Sequence, residues 1–464
     1  MDTISIFTGL VLVLLLLLSL AHLIIKLFFI SYNNHSNKKK KNLPPCPPSL
    51  PFIGHLHLIL KKPLHQYLSA MASLHGPLLL LRFGSRPAVV ISSAPLADEC
   101  LTTNDLALAN RPKFPSSRTS SYNYTIMASA AYGPGWREMR RVSTIQLLSV
   151  HRLSFFADLR EAEARALARR LFHDTSSPDH DFKAVQLRPR LFGLALNVIM
   201  MMMVRKRYYG GGEFDDGVSR QFEEMVEEGF ALAGASNVGD FLPWPLGWIA
   251  RIGVERKLAR ILPAGTHTSS ITIEWAVSLL LNNPEKLEKL MHEIDDRVGS
   301  GRLLEESDLP KLPYLNSVIS ETLRMYPAGP LLVPHESVKE CKVGGCTVPG
   351  GTMVLVNVYA IQRDPEIWPE PTKFLPERFT EDSKLERGKI FPFGMGRRRC
   401  PGEALAMREV GLVLGTLVQC FEWRRVDSED VDMKEGSGLS LPKEHPLQAL
   451  CRPRQSMISM LAQF

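Results

Sequence analysis

The sequence predicts a mainly α-helical body with small β-sheets, preceded by an N-terminal transmembrane helix. Three observations carry that expectation. From Ile6 to Ile25 the chain is almost entirely apolar, and a helix needs ~20 such residues to cross a bilayer. Charged and apolar residues then recur at helical spacing over Leu153 to Phe172, Val218 to Leu232 and Pro284 to Val298, the pattern of surface helices with one buried face. Strand-like runs are fewer. Leu78 to Phe83, Ala88 to Ile91 and Met353 to Val358 are short, apolar and flanked by Gly or Pro.

Residues 1–30 read as a retained membrane anchor rather than a cleaved signal. The start carries only Asp2, and large side chains (Leu27, Phe28, Phe29) follow the apolar run where a small-residue cleavage site would stand. The tetralysine Lys38 to Lys41 lies just beyond it, so the positive-inside rule places the body of the chain in the cytosol. Residues 31–48 form a basic, proline-rich hinge ending in Leu43-Pro44-Pro45-Cys46-Pro47-Pro48, whose prolines enforce extended geometry. Residues 49–464 read as one large domain, in which Met200 to Met203 serve as adaptable core filling on a helix.

Composition narrows the function. Of 464 residues, 45% are hydrophobic and 22% charged, so a large core can be buried. The 32 glycines and 33 prolines follow no repeat, which excludes solenoids and propellers. A net charge of +7 comes from blocks far apart in sequence (Lys38 to Lys41, Arg397 to Arg399), so nucleic acid is not indicated as a partner. Seven cysteines without a CxxC pair argue against a disulfide framework or zinc ribbon and fit a reducing compartment; Cys341 and Cys346 read as structural thiols.

The strongest chemical signal is Phe391-Pro392-Phe393-Gly394-Met395-Gly396-Arg397-Arg398-Arg399-Cys400-Pro401-Gly402, a glycine-rich loop that presents one cysteine just before the helical stretch Glu403 to Leu417. A helix N-terminus and neighbouring arginines favour the thiolate, the form that ligates metal. Backbone N–H groups around the glycines can hydrogen-bond and tune the sulfur. Glycines also let the backbone approach a flat macrocycle, so the loop suggests a single-thiolate metal or haem site. A buried inert cysteine is the alternative.

That loop resembles the haem-binding signature FxxGxRxCxG of the cytochrome P450 superfamily, through Phe393, Gly396, Arg398, Cys400 and Gly402. Four further segments are similar to family motifs in the expected order: Trp136-Arg137-Glu138-Met139-Arg140, Ala264-Gly265-Thr266-His267-Thr268, Glu321-Thr322-Leu323-Arg324 and Pro376-Glu377-Arg378-Phe379. The resemblance implies the cytochrome P450 fold, haem b with Cys400 as axial ligand, and haem propionates held by Trp136, Arg140, His335 and Arg398. It implies a buried Glu321–Arg324–Arg378 network behind the cysteine loop, serving fold and haem retention. Thr268 would act in oxygen activation.

Coverage is nearly the whole chain after the anchor, and the likeness is greatest to plant microsomal enzymes of the isoflavone 2'-hydroxylase type. It rests on Ala109-Asn110-Arg111-Pro112, Arg207-Tyr208-Tyr209-Gly210, Asp240-Phe241-Leu242-Pro243-Trp244 and Cys451-Arg452-Pro453-Arg454 among others. The implied function is a haem-dependent monooxygenase that places one oxygen atom from O2 into a lipophilic, aromatic plant metabolite such as a flavonoid or isoflavonoid. The implied setting is the endoplasmic reticulum membrane, with membrane lipid and an NADPH-dependent reductase as partners; the reductase would dock near Arg397 and Arg399. No nicotinamide or flavin fingerprint is present, since Gly210-Gly211-Gly212 lacks the strand-then-helix context of a dinucleotide loop.

Two departures from the family pattern stand out. The family usually has an acid before the motif threonine; here His267 takes that place as the expected proton relay, its unperturbed pKa being ~6.5. In addition, Pro263 reads as a helix-starting residue, so the central helix would be shortened and several tens of residues would be missing near 260–263. Three readings remain open: an active monooxygenase, a haem-binding but catalytically impaired membrane protein from a truncated or alternatively spliced copy, and a relative that rearranges peroxides.

Overall fold

The computed structural model describes residues 42–51, 53–59, 63–176, 181–209, 237–243, 265–380 and 390–463, with a few isolated positions elsewhere. The anchor, the tetralysine, the Val218 to Leu232 run, Gly210 to Gly212 and Pro263 lie outside the described residues apart from such isolated positions. Among the described residues no helix is long and apolar enough to cross a membrane.

Among the described residues helices build most of the body, and three small sheets flank them. In the largest sheet, Leu78–Phe83 pairs antiparallel with Arg86–Ile91, which runs parallel to Met353–Val356, which pairs antiparallel with His335–Glu336. Strand Arg86–Ile91 starts two residues before the apolar run because the register carries through to Phe83 opposite Arg86. The turn between them needs glycine. Gly84 sits at φ +56°, and a Cβ there would meet the Phe241 carbonyl oxygen at 2.3 Å. A second sheet orders Lys183–Gln186, Gln448–Pro453 and Phe421–Arg424; the hairpin Cys341–Val343 with Cys346–Val348 forms the third and carries both cysteines.

Elsewhere local chemistry shifts the expected boundaries. The Leu153 to Phe172 periodicity resolves into two helices, Val150–Phe155 and Ala157–Thr175, because Phe156 leaves helical geometry (φ −98°, ψ 15°) and is buried while Phe155 stays exposed. Strand Met353–Val356 stops short of Val358, where Asn357 accepts a hydrogen bond from the Ala360 N–H at 3.2 Å and caps a short helix, Val358–Ile361. The run after the glycine-rich loop forms helix Glu403–Cys420.

The main core gathers around the central helix, Gly265–Leu281, which packs against helices Arg188–Val204, Pro313–Met325 and Glu403–Cys420. Its anchor is Trp275. The indole stacks on Tyr326 with centroids 3.8 Å apart and donates its N–H to the Leu441 carbonyl at 2.8 Å, so a large apolar ring is buried with its polar atom satisfied. Helix Pro284–Arg297 follows after Asn282 and Asn283, as the proline requires. Met200 to Met203 lie on helix Arg188–Val204, but only Met202 is buried core; Met202 and Met203 both face the cavity described below.

Behind the cysteine loop, Glu321 and Arg324 are fully buried and joined by two hydrogen bonds, 2.6 and 2.8 Å long. Arg378 adds a third to Glu321 at 3.2 Å. Arg324 also donates to the carbonyls of Gln362 (2.8 Å) and Pro371 (3.0 Å). Gln362 completes the connection, donating to the Leu323 and Arg324 carbonyls and accepting from the Phe391 N–H at 2.9 Å. Removing one partner from such a network strands a buried charge. Glu321→Ala should therefore cost ~3–5 kcal/mol in chemical denaturation, and a loss under ~1 kcal/mol would show that the two guanidiniums find other acceptors.

Candidate active site

Residues 390–402 are shaped by two left-handed glycines, Gly394 (φ +68°) and Gly396 (φ +65°). At Gly396 a Cβ would lie 1.9 Å from the Leu101 carbonyl oxygen, so the backbone approaches its neighbour in a way only glycine permits. Three loop hydrogen bonds then set the cysteine: Gly394 N–H to Phe391 O (3.0 Å), Arg399 N–H to Gly396 O (3.1 Å) and Cys400 N–H to Phe393 O (2.9 Å). The backbone N–H groups of Gly402 and Glu403, where the next helix starts, point to the Cys400 sulfur.

Cys400 opens onto a mostly apolar cavity of about 500 Å³. Phe393 and Gly402 line it beside the sulfur, and Thr268, Ser269 and Thr272 face it from the central helix. Opposing effects act on the sulfur. Burial pushes the Cys400 pKa up, and the Gly402 and Glu403 N–H groups and the Arg140 guanidinium only partly offset that. The helix start and Arg140 stabilise the anion, the form that ligates a metal.

One wall of the cavity is cationic. Arg398 stacks over Trp136 at 4.3 Å and donates to the carbonyls of Ala109 (2.7 Å) and Ala130 (2.6 Å), while the Trp136 indole donates to Met127 O at 3.0 Å. Arg140 donates to Arg399 O at 2.7 Å. His335 meets Leu108 O through Nδ1 at 2.8 Å, so that nitrogen carries the proton and Nε2 is an acceptor in the neutral ring. Burial, with help from Arg111 and Arg398, pushes its pKa down to about 3. Burial likewise lowers Arg111 to about 9 and Arg398 to about 10.

This wall suits an anionic group. Arg111, Arg140 and Arg398 all line the cavity, and Arg111 Nε is a buried donor without a protein partner among the described residues. A thiol at the floor, three guanidiniums on one wall and apolar surface elsewhere fit a flat macrocycle that carries carboxylates. Arg397 and Arg399 are turned outward instead: Arg397 pairs with Asp105 (3.3 Å) and Arg399 with Glu403 (2.6 Å).

His267 does not join the site. It is buried on the central helix but does not line the cavity, and burial together with the Arg188 charge pushes its pKa down to about 4. Successive helix residues point about 100° apart, so standing next to Thr268 in sequence does not give it the same face. Glu321, Arg324 and Arg378 lie behind the loop, away from the lining. Sequence reasoning missed Gln362, Ser269 and Glu409, and quoted Arg111 only for its likeness. Glu409 left a readable signal, an acid opening the apolar run Val410 to Val418 of a helix; for Gln362 and Ser269 we find none.

Comparison with known proteins fits this geometry. The family model described as "Cytochrome P450" matches residues 44–261 and 253–449. "Cytochrome P450 81Q32" of Catharanthus roseus is 43% identical over 479 positions, covering 92% of this chain and 95% of that protein. "Isoflavone 3'-hydroxylase" of Medicago truncatula is 41% identical, covering 90% and 94%, and "Isoflavone 2'-hydroxylase" of Glycyrrhiza echinata is 41% identical, covering 94% and 97%.

The depressed pKa of His267 has a consequence for stability. Between pH 6.5 and about 4 the unfolded chain binds a proton there that the folded protein does not, so stability falls as pH falls through that window. At ~1.4 kcal/mol per unit, the His267 share between pH 7 and pH 4.5 is ~2–3 kcal/mol. Chemical denaturation at the two pH values should show this loss in the parent and reduce it by that amount in His267→Gln. Equal losses in both would place the imidazole in a solvated environment.

Proposed function

The chain belongs to the cytochrome P450 family, whose cofactor is haem b with a cysteine thiolate ligand, and from that premise we propose that it hydroxylates an aromatic plant metabolite of the flavonoid or isoflavonoid class. The observation that carries the reading is Cys400 on the lining of a large, mostly apolar cavity that Thr268 also lines. Residue by residue, Cys400 would ligate the iron, and Arg140, Arg398 and Arg111 would hold the propionates, while Trp136 and His335, expected from the sequence to share that role, have their N–H groups on the carbonyls of Met127 and Leu108 and would only line that wall. The haem, when bound, supplies dioxygen activation, assisted by electron donation from the thiolate. The protein's own part is to keep the sulfur in place, exclude bulk water and orient an apolar substrate beneath the central helix. Two relatives named as isoflavone hydroxylases support the substrate class.

Electrons would come from an NADPH-dependent reductase docking on the outer side of the cysteine loop, where Arg397 and Arg399 are about half exposed. Residues 1–30 would anchor the protein in the endoplasmic reticulum membrane, with the 31–48 hinge carrying a domain of residues 49–464 in the cytosol.

A second reading, a haem-binding but catalytically impaired copy, is favoured by two observations. The family match falls into two pieces that meet at 253–261. The alignment to the Catharanthus relative also runs over 479 positions, more than the 464 residues of the chain. The break in the family match lies just before the central helix, and the longer alignment requires gaps in this chain, which together support a missing segment.

The reduced carbon monoxide difference spectrum tests the primary reading. The parent should give the red-shifted Soret band of thiolate ligation and convert flavones or isoflavones in the presence of the reductase, whereas Cys400→Ala should lose the band. The band without turnover of any such substrate would favour the impaired copy, and its survival in Cys400→Ala would overturn the haem assignment. Prepared without residues 1–30, the protein should leave microsomal membranes; full retention would refute the anchor.

A further inference from the structure

Where helix Ala157–Thr175 packs against helix Arg188–Val204, away from the cysteine loop, arginines outnumber the carboxylates that serve them. Four guanidiniums act on one another along this seam: Arg169 and Arg170 from the first helix, Arg190 from the start of the second, and Arg207 just beyond its end. Two carboxylates answer them, and both are engaged. Glu163 is buried, with one oxygen accepting from Arg207 Nε at 2.7 Å and the other from Asn197 at 3.0 Å. Asp174 accepts from Arg190 Nη1 at 2.7 Å through one oxygen and meets His173 at 3.4 Å through the other.

Arg170 is the guanidinium left over. It stands seven residues after Glu163 and four before Asp174, on the helix face that those carboxylates share. The Glu163–Asn197 and Asp174–Arg190 contacts mean that the two helices run antiparallel, so Arg170 lies between these contacts and nearer to Arg190. Among the described residues neither Arg169 nor Arg170 makes a hydrogen bond or an ion pair. Arg170 is nevertheless half-buried, while Arg169 is exposed. Burial lowers the Arg170 pKa; Glu163 pulls it back up, and Arg190, Arg207 and Arg169 press it down further. A guanidinium keeps its proton at working pH, so the charge stays and its cost is left uncompensated.

Four guanidiniums against two carboxylates leave an excess of two positive charges. A phosphate monoester dianion balances that excess, and its three terminal oxygens can accept from several planar forks at once. One carboxylate would supply half the charge. We propose that the seam around Arg170 is a binding site for a phosphate monoester, gripped by Arg170 and Arg190 from the two helices, with Arg169 and Arg207 adding charge. The site lies on an element that shapes the cavity wall, since the far end of helix Arg188–Val204 carries Ile199, Met202 and Met203 on the lining. A soluble phosphate ester and the headgroup of phosphatidic acid present the same chemistry.

Thermal unfolding of the full-length protein in detergent, in buffer free of phosphate and sulfate, tests this without any assay of turnover. Inorganic phosphate, compared with chloride at equal ionic strength, should raise the midpoint by about 3 °C at a hundredfold excess over Kd. Arg170→Gln should abolish that rise. Arg169→Gln, at an exposed position where the fold is safe, should weaken phosphate binding about tenfold. Without phosphate, Arg170→Gln should melt no lower than the parent, because it removes a charge that has no partner. A lower midpoint there would mark an arginine that the folded protein itself satisfies, and overturns the proposal. So does a parent that responds to phosphate no more than to chloride, or an equal response in the parent and Arg170→Gln. Melts in phosphatidylcholine nanodiscs with and without phosphatidic acid then identify the source. An added rise with phosphatidic acid that Arg170→Gln lacks assigns a lipid headgroup, and a rise with inorganic phosphate alone assigns a soluble ester.

Discussion

One buried carboxylate, Glu321, holds two guanidiniums in a place without solvent, and the geometry of the site depends on that arrangement. Arg324 and Arg378 both point at it, and Arg324 also carries the carbonyls of Gln362 and Pro371. Gln362 then fixes Phe391, whose carbonyl accepts from Gly394 at the start of the cysteine loop. The connection runs without a break from helix Pro313–Met325 to the loop that sets the sulfur. A buried ion network of this kind adds little net stability compared with well-packed apolar residues, so its value lies in specifying one arrangement.

The loop converts that fixed starting point into chemistry. Gly396 lies against the Leu101 carbonyl, where no side chain fits, and the chain leaves this contact through Cys400 into a helix. Opposing forces meet at the sulfur: desolvation favours the thiol, while two backbone N–H groups and Arg140 favour the anion. The same balance recurs across the cavity. His335 and the three arginines on the lining all have depressed pKa values because burial costs their charge, and an anion at that wall would relieve the cost. Glu409, also on the lining, is raised for the mirror-image reason.

Much of this was legible in the sequence, and what was not follows a pattern. Local signals located helix Pro284–Arg297, strand Leu78–Phe83 and the helix that opens after Cys400, because spacing and turn residues act within one element. Boundaries moved where a single side chain competed with the backbone, as Asn357 does in ending a strand. Periodicity cannot register a one-residue break such as Phe156, since the same face continues on both sides. Motif likeness brought Trp136 and Arg398 to one wall although 262 positions separate them. It could not say that their donors would be occupied by the carbonyls of Met127, Ala109 and Ala130. Nor could adjacency to Thr268 tell which way His267 faces, because that depends on helix azimuth and on Arg188, far away in sequence. Burial, which no motif encodes, decided the direction of the Cys400 shift.

The central claim is that the Glu321-supported loop presents the Cys400 sulfur as a metal ligand. Resonance Raman spectroscopy of the ferric protein, grown with ordinary or heavy-sulfur cysteine, reads that bond most directly. The account predicts an iron–sulfur stretching band that shifts to lower frequency with the heavier isotope. A haem-loaded protein whose spectrum contains no sulfur-sensitive band would contradict it.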